Sequence, residues 1–184
     1  MGKDKWKLTI TSEPPVGGPM CVNADLSHLQ QAVENLVFNA RDATFEMRSH
    51  LREAARKVTD PAARKQKLIE AAGWTGKITL AARREEDSAV LEVRDNGIGM
   101  TPEVRSRCLH THFSTKRDNA LYEGYSAGMG LGLSFVAVVL EHHNAKLDIE
   151  SEPLRGTVFR VRFPLAGAEE SAKDERPMVS SGNR

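Results

Sequence analysis

The sequence predicts an α/β fold: a two-layer sandwich in which a mixed, mainly antiparallel sheet carries helices packed on one face. Three observations predict it. Apolar residues recur at helical spacing from Leu29 to Val58, which marks a helix face that must lie against something flat. Two pairs of alternating stretches, Lys77–Ala82 with Ala89–Asp95 and Lys146–Glu152 with Thr157–Phe163, read as hairpins. Helices alternate with these hairpins rather than with single strands, which favours a largely antiparallel sheet over a doubly wound one.

In chain order, Trp6–Thr11 alternates apolar and polar residues and reads as a strand. Pro14-Pro15-Val16-Gly17-Gly18-Pro19 breaks the chain before the short stretch Met20–Asn23. Asp25 or Ser27 can cap the helix carrying Leu29, Ala32, Val33, Leu36, Val37, Ala40, Ala43 and Met47, and the pattern continues through Leu51, Ala54, Ala55 and Val58. Asp60-Pro61 is a restart signal, with Asp as N-cap and Pro in the first turn of a second helix, Ala62–Ala72, that ends at Gly73. The first hairpin follows. After a long polar stretch, Thr101–Ala127, an apolar helix runs from Leu133 to Leu140, and the second hairpin closes through Pro153–Gly156. From Gly167 the chain turns small and charged, so residues 1–166 read as one domain and 167–184 as a disordered tail.

Composition narrows the function classes. The 184 residues suit one domain with one sizeable core, and 40% hydrophobic with 28% charged residues is ordinary for a soluble globular protein. A net charge of +1 gives no global bias toward nucleic acid or an anionic membrane. Cys21 and Cys108 are far apart and lack zinc-site spacing; they read as independent reduced thiols, and His110 and His112 near Cys108 have no further acids to complete a ligand set. No apolar run approaches the ~18 residues of a membrane span, and the N-terminus lacks a signal-peptide core. The expectation is a cytoplasmic chain that contacts neither membrane nor nucleic acid directly.

The chemistry concentrates in two glycine-rich segments and one helix face. Asn35 and Asn39 are four residues apart, so their amides share a face one turn apart. Asp95 ends a strand and is followed by Asn96-Gly97-Ile98-Gly99-Met100; a carboxylate there suits an exocyclic amine, with Gly97 and Gly99 letting the backbone approach. Gly128-Met129-Gly130-Leu131-Gly132-Leu133 opens a helix whose free N–H groups and dipole favour phosphate. A purine acceptor and a phosphate cradle would suit these places. Read alone, each has a plainer alternative: a solvated pair of Asn, a hairpin turn, a loop before a helix.

In order, Glu34-Asn35-Leu36-Val37-Phe38-Asn39-Ala40-Arg41-Asp42-Ala43, Asp95-Asn96-Gly97-Ile98-Gly99-Met100, His112-Phe113-Ser114-Thr115-Lys116 and Gly128-Met129-Gly130-Leu131-Gly132-Leu133 resemble the N, G1, F and G2 boxes of sensor histidine kinases. That catalytic domain belongs to a superfamily shared with gyrase, Hsp90 chaperones and MutL proteins, and the resemblance covers roughly Lys7 to Leu165. It implies the Bergerat-type ATP-binding fold, with ATP and Mg2+ as cofactors. It implies Asn39 as the magnesium ligand, Asn35 and Asp42 beside the nucleotide, and Asp95 on the adenine amine. Gly97, Ile98, Gly99 and Met100 would line the base, and Gly128, Met129, Gly130, Leu131, Gly132 and Leu133 the phosphates. Residues 101–128 would form an ATP lid, packed by Phe113, with Thr115 and Lys116 reaching the terminal phosphate. Thr157 would stand at the adenine pocket. Glu34 and Lys116 are the candidate catalytic residues; each also reads as a solvated surface charge, and Thr157 as an ordinary strand residue. Asn35 occupies the place where hydrolytic members carry a glutamate, which favours transfer to an acceptor over water activation. The N box in the form Asn-Ala-Arg-Asp-Ala is similar to the nitrogen-regulation and hybrid types.

Residues 47–73 hold more helix than the family pattern leads one to expect, either a docking surface or an elongated solvated hairpin. No acceptor histidine fits: His28 lies in the N-box helix and His142-His143 follow the G2 helix. The resemblance therefore implies a catalytic domain, excised or stand-alone, that phosphorylates a histidine on a separate phosphoacceptor and dimerisation domain, with a response regulator downstream. The alternatives are a serine kinase of the anti-sigma-factor type and a nucleotide-binding interaction module without phosphotransfer.

Overall fold

The computed structural model describes residues 7–110 and 132–166. Its elements are β1 (Leu8–Ser12), α1 (Leu26–Arg56), α2 (Pro61–Gly73), β2 (Gly76–Glu85), β3 (Ser88–Asp95), α3 (Pro102–Arg107), α4 (Gly132–His142), β4 (Lys146–Glu152) and β5 (Gly156–Pro164). Each strand and long helix expected from periodicity is present. Residues Pro102–Arg107, expected as the start of a lid, form the short helix α3; residues 111–128 of that stretch lie outside the described residues, as does the expected tail.

The five strands run in the order β1-β2-β3-β5-β4. Only β1 pairs parallel, against β2; the remaining pairs are antiparallel, so the sheet is mixed as expected. Strand alternation then divides it into two chemically different faces. On the inner face Leu80, Val93, Phe159 and Ile149 stand in register across four strands, with Ile78, Val161 and Phe163 beside them. Ala32, Leu36 and Ala40 of α1 and Val136, Val139 and Leu140 of α4 close the core over them.

The outer face carries no helix among the described residues and is covered by charge. Glu92 lies between Arg94, Arg83 (3.3 Å) and Arg160 (2.7 Å), and Arg160 also reaches Glu150. Arg162 pairs with Asp148 and, at 3.4 Å, with Glu85. Burial pushes the Glu92 carboxyl up, but Arg160 and Arg94 outweigh it and hold the group below its ordinary range. A sheet with one dry and one ionic face fixes strand register, since a slip of one residue would exchange the faces.

Asp25 caps α1, accepting the His28 N–H at 2.9 Å, and its own N–H donates to His143 Nε2 at the end of α4. From there α1 runs unbroken for 31 residues, roughly 46 Å at the usual rise, well beyond the sheet. Asp60 caps α2 with Pro61 in its first turn. The two helices form a hairpin fastened to the start of β1: Lys7 Nζ donates to Ala72 O, and Arg48 donates to Lys7 O at 2.7 Å while its guanidinium lies 6.0 Å from the Trp74 ring centre.

Candidate nucleotide site

The inner face changes character at one end. Below the apolar rows stand Asp95 at the end of β3, Thr157 at the start of β5 and, opposite Thr157, Ser151 of β4. The core stops there and a cleft of about 260 Å³ begins between this polar row, α1 and α3.

Asp95 is 6% exposed. Burial pushes its carboxyl up from near 3.8 to about 6, against the opposing pull of the Gly97 and Thr157 backbone N–H groups. Its Oδ1 accepts the Gly97 N–H at 2.7 Å. Thr157 is also buried, and its hydroxyl lies 2.9 Å from Ser151 Oγ.

The loop after Asp95 is tied on three sides. Asn96 Oδ1 accepts the Lys77 N–H at 2.7 Å and its amide nitrogen donates to Thr75 O, so this residue clamps the loop to β2. The Ile98 N–H donates to Ala43 O of α1 at 3.0 Å. The Met100 N–H donates to Ser151 Oγ at 2.8 Å, and the Leu154 N–H to Ile98 O. The two glycines serve these ties. A Cβ on Gly97 would lie 2.5 Å from the Ala43 carbonyl carbon, and one on Gly99, at φ +68°, would lie 2.0 Å from Glu152 O. Sequence reasoning assigned them to close approach of a ligand; the neighbours that require them are the protein's own backbone.

On α1, Asn35 Nδ2 donates to Gln31 O (3.0 Å) and Asn39 Nδ2 to Asn35 O (2.8 Å). Each amide nitrogen spends one of its two N–H groups on the helix, and the amide oxygens accept from no group among the described residues, which leaves them to meet a ligand. Gly132, at the start of α4, packs against this pair: a Cβ there would sit 3.1 Å from Asn35 Oδ1. The first turn of α4 is thereby held beside the two asparagines.

The cleft brings Asn39, Asp95, Ile98, Gly99, Met100 and Thr157 together. Gly97 sits behind it against Ala43. Leu133 packs partly into the core. Glu34 is exposed and accepts from Gln30 at 2.9 Å, while Asp42 pairs with Arg41 at 2.8 Å, whose guanidinium lies over Phe38; neither lines the cleft. Phe113, Thr115, Lys116, Gly128, Met129, Gly130 and Leu131 lie outside the described residues. Sequence reasoning missed five lining residues: Ala43 and Glu46 of α1, Val104 of α3 with its N-cap Thr101, and Phe159. Glu46 was open to detection, since it continues the Asn39, Ala43 stripe at i+7. A larger cavity of about 490 Å³, between the C-terminal half of α1 and α2 and lined by Leu51, Val58 and Trp74, holds none of the predicted site residues.

Residues 24–167 match the family described as histidine kinase-, DNA gyrase B-, and HSP90-like ATPase. The chain belongs to this family. Among relatives of this ATPase domain, it is 33% identical to the sensor histidine kinase ZraS of Klebsiella oxytoca over 171 residues, covering 92% of this chain and 28% of ZraS. It is 31% identical to the sensor kinase CckA of Brucella abortus over 159 residues, 86% of this chain and 15% of CckA. The chain thus spans about a quarter or less of these relatives. The fold matches the catalytic domain of the histidine kinase ThkA in a nucleotide-free form, with TM-score 0.58, 22% identity and coverage of 88% of this chain and 81% of that one. Among the described residues of the ATPase domain no helix is long and apolar enough to cross a membrane.

Proposed function

We propose that this ATPase domain is the catalytic part of a two-component sensor histidine kinase that binds Mg-ATP and phosphorylates a histidine on a separate phosphoacceptor domain. The observation that carries this reading is the cleft itself: a buried acceptor, Asp95, at its floor and the Asn39 amide on its wall, with the start of α4 next to Asn35. In this reading Asp95 accepts from the adenine amine, and the phosphates extend toward Asn35, Asn39 and Gly132. A full-length structure of ShkA with AMPPNP shares the fold at TM-score 0.59 and 20% identity.

Among the described residues no three His, Cys, Asp or Glu side chains are placed to hold a metal. The donor set instead fits a magnesium ion carried by phosphate and water oxygens, with the hard amide oxygen of Asn39 as protein ligand. Such an ion would supply charge neutralisation on the phosphates. The bond from the γ-phosphorus to the bridging oxygen breaks, a phosphorus–nitrogen bond forms on the acceptor imidazole, and ADP leaves. In this reading Glu34, exposed on α1 beside Asn35, meets the incoming imidazole, and Lys116 acts on the terminal phosphate. Residues 101–128 serve as the nucleotide lid, residues 47–73 form an additional helical hairpin, and the domain works in the cytoplasm with a response regulator downstream of the phosphohistidine.

Calorimetric titration with a non-hydrolysable ATP analogue, with and without magnesium and with GTP as control, tests the binding half. Magnesium-assisted, adenine-selective binding is expected, and GTP binding as tightly would contradict the adenine assignment. In Asn39→Ala the affinity gained from magnesium is expected to disappear while magnesium-free binding persists. For the transfer half, γ-labelled ATP and a supplied phosphoacceptor domain should yield acid-labile phosphate on that domain; acid-stable phosphate would point to a hydroxyl acceptor.

A further inference from the structure

Helices α1 and α4 meet at two places about equally far apart on each. At one, Gly132 opens α4 against Asn35; at the other, His143, just past the end of α4, meets Asp25, the N-cap of α1. The helices therefore run antiparallel, with ten residues from Asp25 to Asn35 and eleven from Gly132 to His143, roughly 15 and 17 Å of helix. Between the two places Ala32 and Leu36 share the core with Val136, Val139 and Leu140. Apolar burial is non-directional and resists sliding of one helix along another only weakly, whereas a hydrogen bond fixes both length and direction.

The His143 imidazole supplies that bond, in one tautomer. Its Nδ1 lies 2.6 Å from Val139 O, and a carbonyl only accepts, so Nδ1 carries the proton. Nε2 keeps the lone pair that accepts the Asp25 N–H at 2.9 Å. The ring thus joins a carbonyl in the last turn of α4 to the N–H that α1 leaves free at its start. On the reading of the cleft as the ATP site, we propose that His143 is a positioning residue that sets how far α4 lies along α1, and so how the start of α4 stands against Asn35 and Asn39. It touches no nucleotide. The base meets Asp95 and Thr157 on the sheet, while the phosphates lie between the two helices, so the clamp acts on phosphate binding and leaves the base alone.

The test compares a non-hydrolysable ATP analogue with adenosine by calorimetry on the full chain in the presence of magnesium. Wild type is expected to hold the analogue more tightly. In His143→Ala the affinity for the analogue should fall by about three- to tenfold, the reach of one neutral hydrogen bond, with adenosine bound as before. His143→Gln, whose amide oxygen can accept the Asp25 N–H from the place of Nε2, should restore most of the loss. A purely structural role would lower Tm and either weaken both ligands alike or spare both; an unchanged ratio of the two affinities in His143→Ala overturns the positioning role and leaves the ATP site standing. Nitrogen NMR of the wild-type chain gives a second reading that does not depend on a variant folding: the neutral His143 ring should carry its proton on Nδ1, and a proton on Nε2 overturns the clamp. If wild type binds neither ligand, or holds the analogue no more tightly than adenosine, the ATP reading fails and the role of His143 falls with it.

Discussion

Replacing Asp95 by asparagine is expected to weaken ATP binding by about ten- to a hundredfold and at the same time to stabilise the empty protein. The first effect is the loss of a charge-assisted hydrogen bond, worth about 1.5–3 kcal/mol, at a group that is 6% exposed. The second follows from burial. The carboxyl titrates near 3.8 when solvated and at about 6 in the fold, so the folded state resists its ionisation. Below about 3.8 the group is neutral in both states and costs nothing; the penalty grows as pH rises between the two values and is complete above about 6. The rise from 3.8 to about 6 corresponds to about 3 kcal/mol, the upper limit of what asparagine can recover at pH 7.5. Asparagine keeps an oxygen for the Gly97 N–H. Urea denaturation without nucleotide should show the variant more stable at pH 7.5 and level with wild type near pH 4. Equal ATP affinity in both proteins would refute the assignment of Asp95 to the base.

A comparable loss is expected from Gly99→Ala, for a different reason. A methyl group there would lie 2.0 Å from Glu152 O, at a φ of +68° that side chains rarely adopt. Neither neighbour can yield cheaply. Glu152 ends β4, and the loop on the other side is held to β4 and its turn through Met100, Ser151, Ile98 and Leu154. Strain and backbone displacement together should cost about 2–4 kcal/mol. For a domain of this size that is a fall of roughly 5–15 °C in Tm, accompanied by loss of nucleotide binding. Gly73→Ala is the control, since a Cβ at the end of α2 meets nothing within 4 Å. If Gly99→Ala melts with Gly73→Ala, the loop is not held as described.

The sequence made the architecture legible wherever one period dominated. The apolar stripe of α1, the caps at Asp25 and Asp60 and the alternation in both hairpins each depend on neighbours in the chain. The six-residue α3 has too few turns to show a period, and the contribution of Val104 and of the N-cap Thr101 to the cleft depends on where α3 packs beside β4. Asp95 was readable because it ends an alternating strand beside two glycines. Asn96, between Asp95 and Gly97, gave no such sign, for its partners at Thr75 and Lys77 become neighbours only through strand register. The cage around Glu92 is of the same kind: its arginines come from β2, β3 and β5, and only the sheet brings them together.

The ties on the loop from Asn96 to Met100 also govern how the protein comes together in time. Its anchors lie at Ala43, Lys77, Ser151 and Leu154, so contacts spanning most of the described chain must close before the cleft has a floor. Such long-range closures are slow steps on a folding pathway. A species that has formed α1 and the β2–β3 hairpin but not β4 and β5 still lacks Thr157 and the anchors at Ser151 and Leu154. Nucleotide therefore selects the completed fold over partial ones, and its binding energy is felt as global rather than local stability.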